Sequence, residues 1–280
     1  MLLDRTVDLR RYPLEAPGGA AWNSLIDRVR ADLAADGCSV LPDFIHPGAQ
    51  EHLRDQGSSI APHAHYDVET VNVYNTAPDP ALPEDHPAHH TFPRGNAFVP
   101  RDRIPGEHLI HRLYTDPAFQ RFVAACFDLT ELHELADPLA GLCLNVLRPG
   151  NQHPWHFDTN EFTVSLLTHA AEEGGVFEYC PGIRTPETEN LGDVAAVLEG
   201  RAGHRIRRLT LRPGDLQLFR GRYSLHRVSP VTGGTDRHTA IFAYSLRPGV
   251  IGSPERTRQL FGRLTPQHRA TAVRADLLLD

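Results

Sequence analysis

From Leu139 to Leu246 the chain is written in short apolar segments broken by turn residues, and this rhythm constrains the fold more than any other feature. LAGLCLNVLRPG runs into Pro149-Gly150, FTVSLLT alternates, and GVFEYCPG ends at Pro181-Gly182. HRIRRLTLRPGD alternates arginine with apolar residues, and LQLF, SLHRVSPV and HTAIFAYSL follow. Segments this short, bounded by Pro and Gly, are strands. Seven or eight of them at such spacing predict a sandwich or a closed barrel. ENLGDVAAVLEG interrupts the series as an inserted helix.

The first ~135 residues read differently, as a helical and loop-rich region supporting or covering the barrel. Trp22, Leu25, Ile26, Val29 and Leu33 fall at helical spacing within 21–35, and Gly37 stops that helix. CSVLPDFI reads as a short strand, HPGAQEHLRDQ as a helix with Pro47 in its first turn, and DPAFQRFVAACF as a third helix. Between Gly57 and Gly106 the chain is rich in Pro, His and Asp and shows no clear period, the pattern of a long loop that is either a functional lid or disordered. The expected organisation is 1–135 for this region, 136–250 for the barrel and 251–280 for a helical tail in which Ser253 caps SPERTRQLFG.

Composition removes several function classes. The net charge is −7 with no block of like charge, which argues against nucleic-acid or acidic-membrane partners. All 28 basic residues are arginine, so Schiff-base lysines and P-loop phosphate sites are excluded. Cys38, Cys126, Cys143 and Cys180 are widely spaced, which fits a reducing compartment and no disulfide scaffold. The N-terminus lacks the apolar run of a secretory signal, and no apolar stretch approaches the ~18–20 residues of a membrane span, so a cytoplasmic location is expected.

The 17 histidines make metal chemistry worth testing. Two HxD triplets occur, His65-Tyr-Asp67 and His156-Phe-Asp158. About one is expected by chance at ordinary Asp usage, so context must choose. His156 and Asp158 follow a Pro-Gly turn in the strand-rich half, where residues i and i+2 share a face. His226, 68 residues beyond Asp158, is the best third donor. Two imidazoles and one carboxylate leave three positions open on an octahedral ion, which suits non-haem Fe(II) and O2 chemistry. Arg237 stands 11 residues after His226 at the head of the next strand, where it can pair with a carboxylate of a metal-chelating ligand.

With these residues in order, the segment from Asn145 to Gly262 resembles the Fe(II)/2-oxoglutarate-dependent dioxygenases. HPWHFDTNEFTVSLL, GGVFEYCPGIR, PGDLQLFRGRYSLHRVSPV and RHTAIFAYS resemble, more narrowly, the BesD/HalD-like amino-acid halogenases and hydroxylases. The resemblance is strong over the C-terminal half and loose before it. It implies a mainly β fold with flanking helices, a double-stranded β-helix (jelly-roll, cupin-like) barrel. It implies Fe(II) held by His156, Asp158 and His226, and 2-oxoglutarate as cosubstrate with Arg237 on its far carboxylate and Thr239 adding a hydroxyl. O2 is the oxidant, and succinate leaves as the cosubstrate decarboxylates. Halogenases of the family carry a small residue, usually Gly, where Asp158 stands, and chloride takes the vacated position. Asp158 therefore favours hydroxylation, with desaturation and cyclisation open to the same oxidant.

For the substrate, the resemblance implies a small molecule, a free polar amino acid, with cationic lysine-like examples the commonest precedent and a carrier-tethered one the variation. His153, three residues before His156, would hold its polar end, and Arg94 its carboxylate; Thr159 and Asn160 would line the pocket. Trp155, Phe157 and Trp22 read as packing residues, and Cys180 as a buried small hydrophobe. Two rivals remain. His63-Ala-His65-Tyr-Asp67 is similar to the HxHxDH of metallo-β-lactamase-fold hydrolases, but Val68 stands where the last His belongs. A non-enzymatic cupin-like binding barrel needs no open metal positions. The zinc-protease pattern fails because Asp137 follows His133-Glu134 where a His is required. The His86/His89/His90 cluster lacks strand context.

Overall fold

Along Leu142–Leu147 the side chains alternate between two environments, and the whole architecture follows from that alternation. Leu142, Leu144 and Val146 enter the large core shared with the helices, while Cys143 and Leu147 turn the other way into smaller clusters. A computed structural model of the chain describes residues 2–76, 79–95 and 97–269. Its larger sheet has seven strands in the order Cys38–Leu41, Leu216–Phe219, Thr163–His169, Arg237–Phe242, Leu142–Leu147, Ala97–Val99 and His65–Tyr66. A four-stranded sheet, ordered Arg207–Leu209, Phe177–Cys180, Leu225–Val228 and His153–His156, lies opposite. Every pairing in both sheets is antiparallel. Consecutive strands therefore return by turns or loops, as in a jelly roll.

Helices cover one face of the larger sheet. Ala20–Asp36 buries Trp22, Leu25, Ile26, Val29 and Leu33, the predicted stripe, and ends at Gly37 in the left-handed region (φ 63°). Pro47–Ile60 lies against the Thr163–His169 strand, and Pro117–Cys126 is capped by the Asp116 carboxylate, which accepts from the N–H groups of Ala118 and Phe119. Together with the outward side chains of the sheet they form the largest apolar cluster. The insertion folds as Leu191–Leu198. At the far end Ser253 Oγ accepts from Arg256 N and caps Pro254–Phe261; the rest of the expected tail beyond residue 269 lies outside the described residues. No helix among the described residues is long and apolar enough to cross a membrane.

Two expectations change. The stretch from Gly57 to Gly106 is not one long loop: it holds His65–Tyr66, Glu69–Asn72, Thr91–Arg94 and Ala97–Val99. Strands of two to four residues are too short to show alternation, and Pro93 disguises Thr91–Arg94, which tolerates it because that strand pairs on one side only. The helix Leu109–Tyr114, six residues long, was likewise below the length at which periodicity speaks. The larger sheet also crosses the expected boundary at residue 136, since three of its seven strands precede it.

Candidate metal centre and active site

His156 and His226 are cross-strand partners, paired directly in the register of the smaller sheet. Residues directly opposite in an antiparallel pair put their side chains on one face, here with ring centroids 4.1 Å apart. Each ring is anchored in the same way. His156 Nδ1 donates to Pro154 O at 2.8 Å and His226 Nδ1 to Ser224 O at 2.9 Å, the carbonyl two residues earlier in both cases. That bond assigns the proton to Nδ1 and leaves the Nε2 lone pair for an ion. Burial, with the neighbouring rings of His153 and His226, pushes the His156 pKa well below its usual value, so this imidazole is neutral and competent to ligate.

Asp158 follows the strand that ends at His156 and completes the set. Its Oδ1 lies 3.7 Å from His156 Nε2 and 3.5 Å from His226 Nε2. Donor atoms of the three residues all fall within 4.8 Å of one another, and among the described residues no other group of three or more does so. Burial opposes ionisation of Asp158, but His226 above all, with His156 and the Thr163 hydroxyl, holds its carboxyl below the usual range. Thr163 Oγ1 donates to Oδ2 at 2.7 Å. Two imidazoles and a carboxylate converging on one point form the donor set of a non-haem Fe(II) centre.

Arg237 heads the neighbouring strand of the larger sheet and is buried, with 4% of its surface exposed. Its Nη1 donates to the Thr239 hydroxyl at 2.5 Å; the two share a face as residues i and i+2. No carboxylate among the described residues pairs with it, and burial alone lowers its pKa to about 10. It is thus a buried cation at neutral pH without a counter-charge, which is costly unless a ligand supplies one. The structure makes room for it at Gly175, whose φ is +61° and where a Cβ would meet Arg237 Cδ at 2.8 Å. The donor set and the uncompensated guanidinium together fit an Fe(II) ion chelated by a dicarboxylate keto acid.

A model of the halogenase D (HalD) family matches residues 22–250. The chain belongs to the halogenase D family. With it the chain falls among the Fe(II)/2-oxoglutarate-dependent oxygenases. Solved structures share the barrel at low identity. A 2OG-Fe(II) oxygenase family oxidoreductase from Burkholderia pseudomallei is 17% identical with a TM-score of 0.50, covering 83% of this chain and 93% of that one. AviO1 from Streptomyces viridochromogenes Tue57 is 16% identical, TM-score 0.54, over 81% and 97%. The epimerase SnoN in complex with Fe3+, alpha ketoglutarate and nogalamycin RO is 14% identical, TM-score 0.54, over 79% and 84%. No curated protein matches the sequence.

Around the donor set of this HalD-family chain, His153 stacks on His156 with centroids 3.9 Å apart and planes 7° from parallel. Its Nε2 is buried with no hydrogen-bond partner. Arg94 is buried at the end of Thr91–Arg94, a strand that lies against His153–His156; its Nη2 donates to Glu69 Oε2 at 2.6 Å, while Nη1 is buried and unpartnered. Thr159 and Asn160 are half-buried in the turn after Asp158, and the Thr159 carbonyl accepts from Arg222. Trp155 and Phe157 pack in the second apolar cluster, as their residue types suggested. Cys180 is buried, and burial pushes its thiol up to about 12, so it is inert. His63, His65 and Asp67 assemble no group of three metal donors with each other.

Sequence reasoning missed four participants. Thr163 and Gly221 touch Asp158, Glu69 pairs with Arg94, and Asn75 carries a buried, unpartnered Nδ2 while its Oδ1 accepts from Arg256 of the C-terminal helix at 2.9 Å. Gly221, Glu69 and Asn75 act through segments far apart in the chain, while Thr163 lies only five residues from Asp158 but carries no signature that marks it as a partner. Gly221 alone left a trace, as a glycine five residues before a candidate ligand.

Proposed function

We propose that this HalD-family oxygenase hydroxylates an unactivated carbon of a free polar amino acid, converting 2-oxoglutarate and O2 to succinate and CO2 as it does so. The observation that carries the reading is the Asp158 carboxylate between the two imidazoles, at the position a halide would need. His156, Asp158 and His226 hold the iron; bound iron supplies the oxidising chemistry. Arg237 neutralises the far carboxylate of 2-oxoglutarate. Thr239 accepts from Arg237 and so keeps its own hydroxyl hydrogen for the same carboxylate.

His153 and Arg94 take the substrate's polar end, with Thr159 and Asn160 lining the pocket. Two buried groups with unmet hydrogen-bonding capacity support this, since such groups are costly unless a ligand or water meets them. The fixed charges that bear on His153 are all arginines: Arg94 first, then Arg256 and Arg237. A carboxylate suits that environment. A lysine-like side chain would need an acid of its own, and Glu69 is already committed to Arg94.

Anaerobic reconstitution with Fe(II) and 2-oxoglutarate tests the reading. A weak absorption band near ~500 nm is expected, the signature of this chelate at an open Fe(II) site. Perturbation of that band by individual amino acids then selects the substrate, and oxygenated product with matching succinate completes the case. A protein that retains zinc and forms no band would be a hydrolase candidate. A product two hydrogens lighter, with no oxygen gained, would redirect the reading to desaturation or cyclisation.

A further inference from the structure

We propose that Thr163 and Gly221 are a positioning pair that restricts Asp158 to a single oxygen toward the metal, keeping open the coordination position that O2 requires. The inference rests on the Fe(II) reading above and deepens it. Asp158 presents its two oxygens to different surroundings. Oδ1 is the atom nearest both Nε2 donors. Oδ2 accepts from Thr163 Oγ1 at 2.7 Å. On its other side lies the bare Cα of Gly221, where an added Cβ would run into Oδ2 and lie 2.6 Å from Cγ.

Topology brings these three residues together. Thr163 opens its strand opposite Phe219, and Gly221 follows Phe219 by two residues. The Gly221 carbonyl accepts from Asp158 N at 3.2 Å, so the ligand loop is stitched to the same strand end. Gly221 is not in the left-handed region, so backbone freedom does not demand glycine there. Space does: the notch admits the second carboxylate oxygen and turns it from the ion.

The coordination count gives the pair its consequence. On a six-coordinate ion, two imidazoles and one carboxylate oxygen would leave three positions, enough for a chelating keto acid and O2. A carboxylate that bound through both oxygens would occupy the third. The Thr163 hydroxyl competes for Oδ2, and the Gly221 notch gives that oxygen somewhere else to be.

Nitric oxide, which occupies the O2 position without turnover, reads this directly. Anaerobic Fe(II)–2-oxoglutarate enzyme is titrated with nitric oxide and followed by electron paramagnetic resonance. Thr163→Val, equal in shape, should form the ~500 nm band yet bind nitric oxide about tenfold more weakly, the usual scale for a lost outer partner. Thr163→Ser, which keeps the hydroxyl, should restore it. Gly221→Ala should weaken Co(II) binding about tenfold by displacing the carboxylate. That loss should vanish in an Asp158→Gly background, where nothing remains to displace. A normal band with unchanged nitric oxide binding in Thr163→Val overturns the inference alone, as does an equal Gly221→Ala loss in both backgrounds. Absence of the band in the unaltered protein overturns the iron reading and this inference with it.

Discussion

A guanidinium buried without a counter-charge costs several kcal/mol, and Arg237 is such a group. Its retention implies a ligand that repays the cost. Arg237→Ala should raise the 2-oxoglutarate needed to half-form the ~500 nm band by two orders of magnitude or more, about 3 kcal/mol for a lost buried charge pair. Metal affinity should be unaffected. At the ligand position, Asp158→Gly should abolish the proposed hydroxylation, assayed as oxygenated product, and open the site to chloride or azide; intact oxygenation would remove Asp158 from the metal. One residue further along the Arg237 strand, His238 faces the opposite side, beneath Gly57 of the Pro47–Ile60 helix. Burial, with His169 beside it, depresses its pKa from 6.5 to about 4 against the pull of Asp236, whose Oδ2 lies 3.9 Å from Nε2, and neither ring nitrogen makes a hydrogen bond. A histidine depressed in the folded state is protonated first in the unfolded chain. Stability from this group is therefore complete above pH 6.5 and falls as the pH drops toward 4. Between pH 7 and 5 the loss is about 2 kcal/mol by proton linkage. Urea midpoints at the two pH values should show a smaller loss in His238→Leu.

At the scale of elements, the site is built where strand ends of two sheets meet. The smaller sheet supplies His156 and His226 in direct register, and a register shift between His226 and Val228 re-aims the strand just beyond the ligand. The larger sheet supplies Arg237 and Thr239, and its partner strand holds Asn145 opposite Thr239. Gly175 lies in the turn before Phe177–Cys180, and Arg237 passes over it. Gly175→Ala is strained twice, by its positive φ and by the Arg237 stem, so it should weaken 2-oxoglutarate binding about tenfold. That follows from roughly 1–2 kcal/mol of left-handed strain and displacement. Isothermal titration of 2-oxoglutarate into the Co(II) enzyme would check it. The i, i+2 spacing of Arg237/Thr239 was legible because strand periodicity is a local property, whereas the strand expected to carry both His156 and Asp158 ends at His156 and that pair was legible as a triplet of donor types. The Arg94–Glu69 pair was not, because it needs Glu69–Asn72 and Thr91–Arg94 to meet across an intervening stretch without periodicity.

At the scale of the molecule, an ion and an anion that bind only the folded barrel must stabilise all of it. Fe(II) with 2-oxoglutarate at about 100 times Kd should add about 3 kcal/mol and raise Tm by roughly 5–10 °C in anaerobic thermal unfolding. Arg237→Ala should abolish the increment from 2-oxoglutarate and leave that from the metal. The strand rhythm after Leu139, the helix at Ala20–Asp36 and the candidate donors His156, Asp158 and His226 with Arg237 were all readable in the sequence. Each is set by short-range chemistry: side-chain alternation, an apolar stripe, and the donor types an open metal site needs. Tertiary structure alone decided that three early strands join the larger sheet, that Arg237 lacks a counter-charge, and that Gly221 and Thr163 hold the second oxygen of Asp158. Those depend on which distant segments touch and on the space left between them, and a linear pattern carries neither.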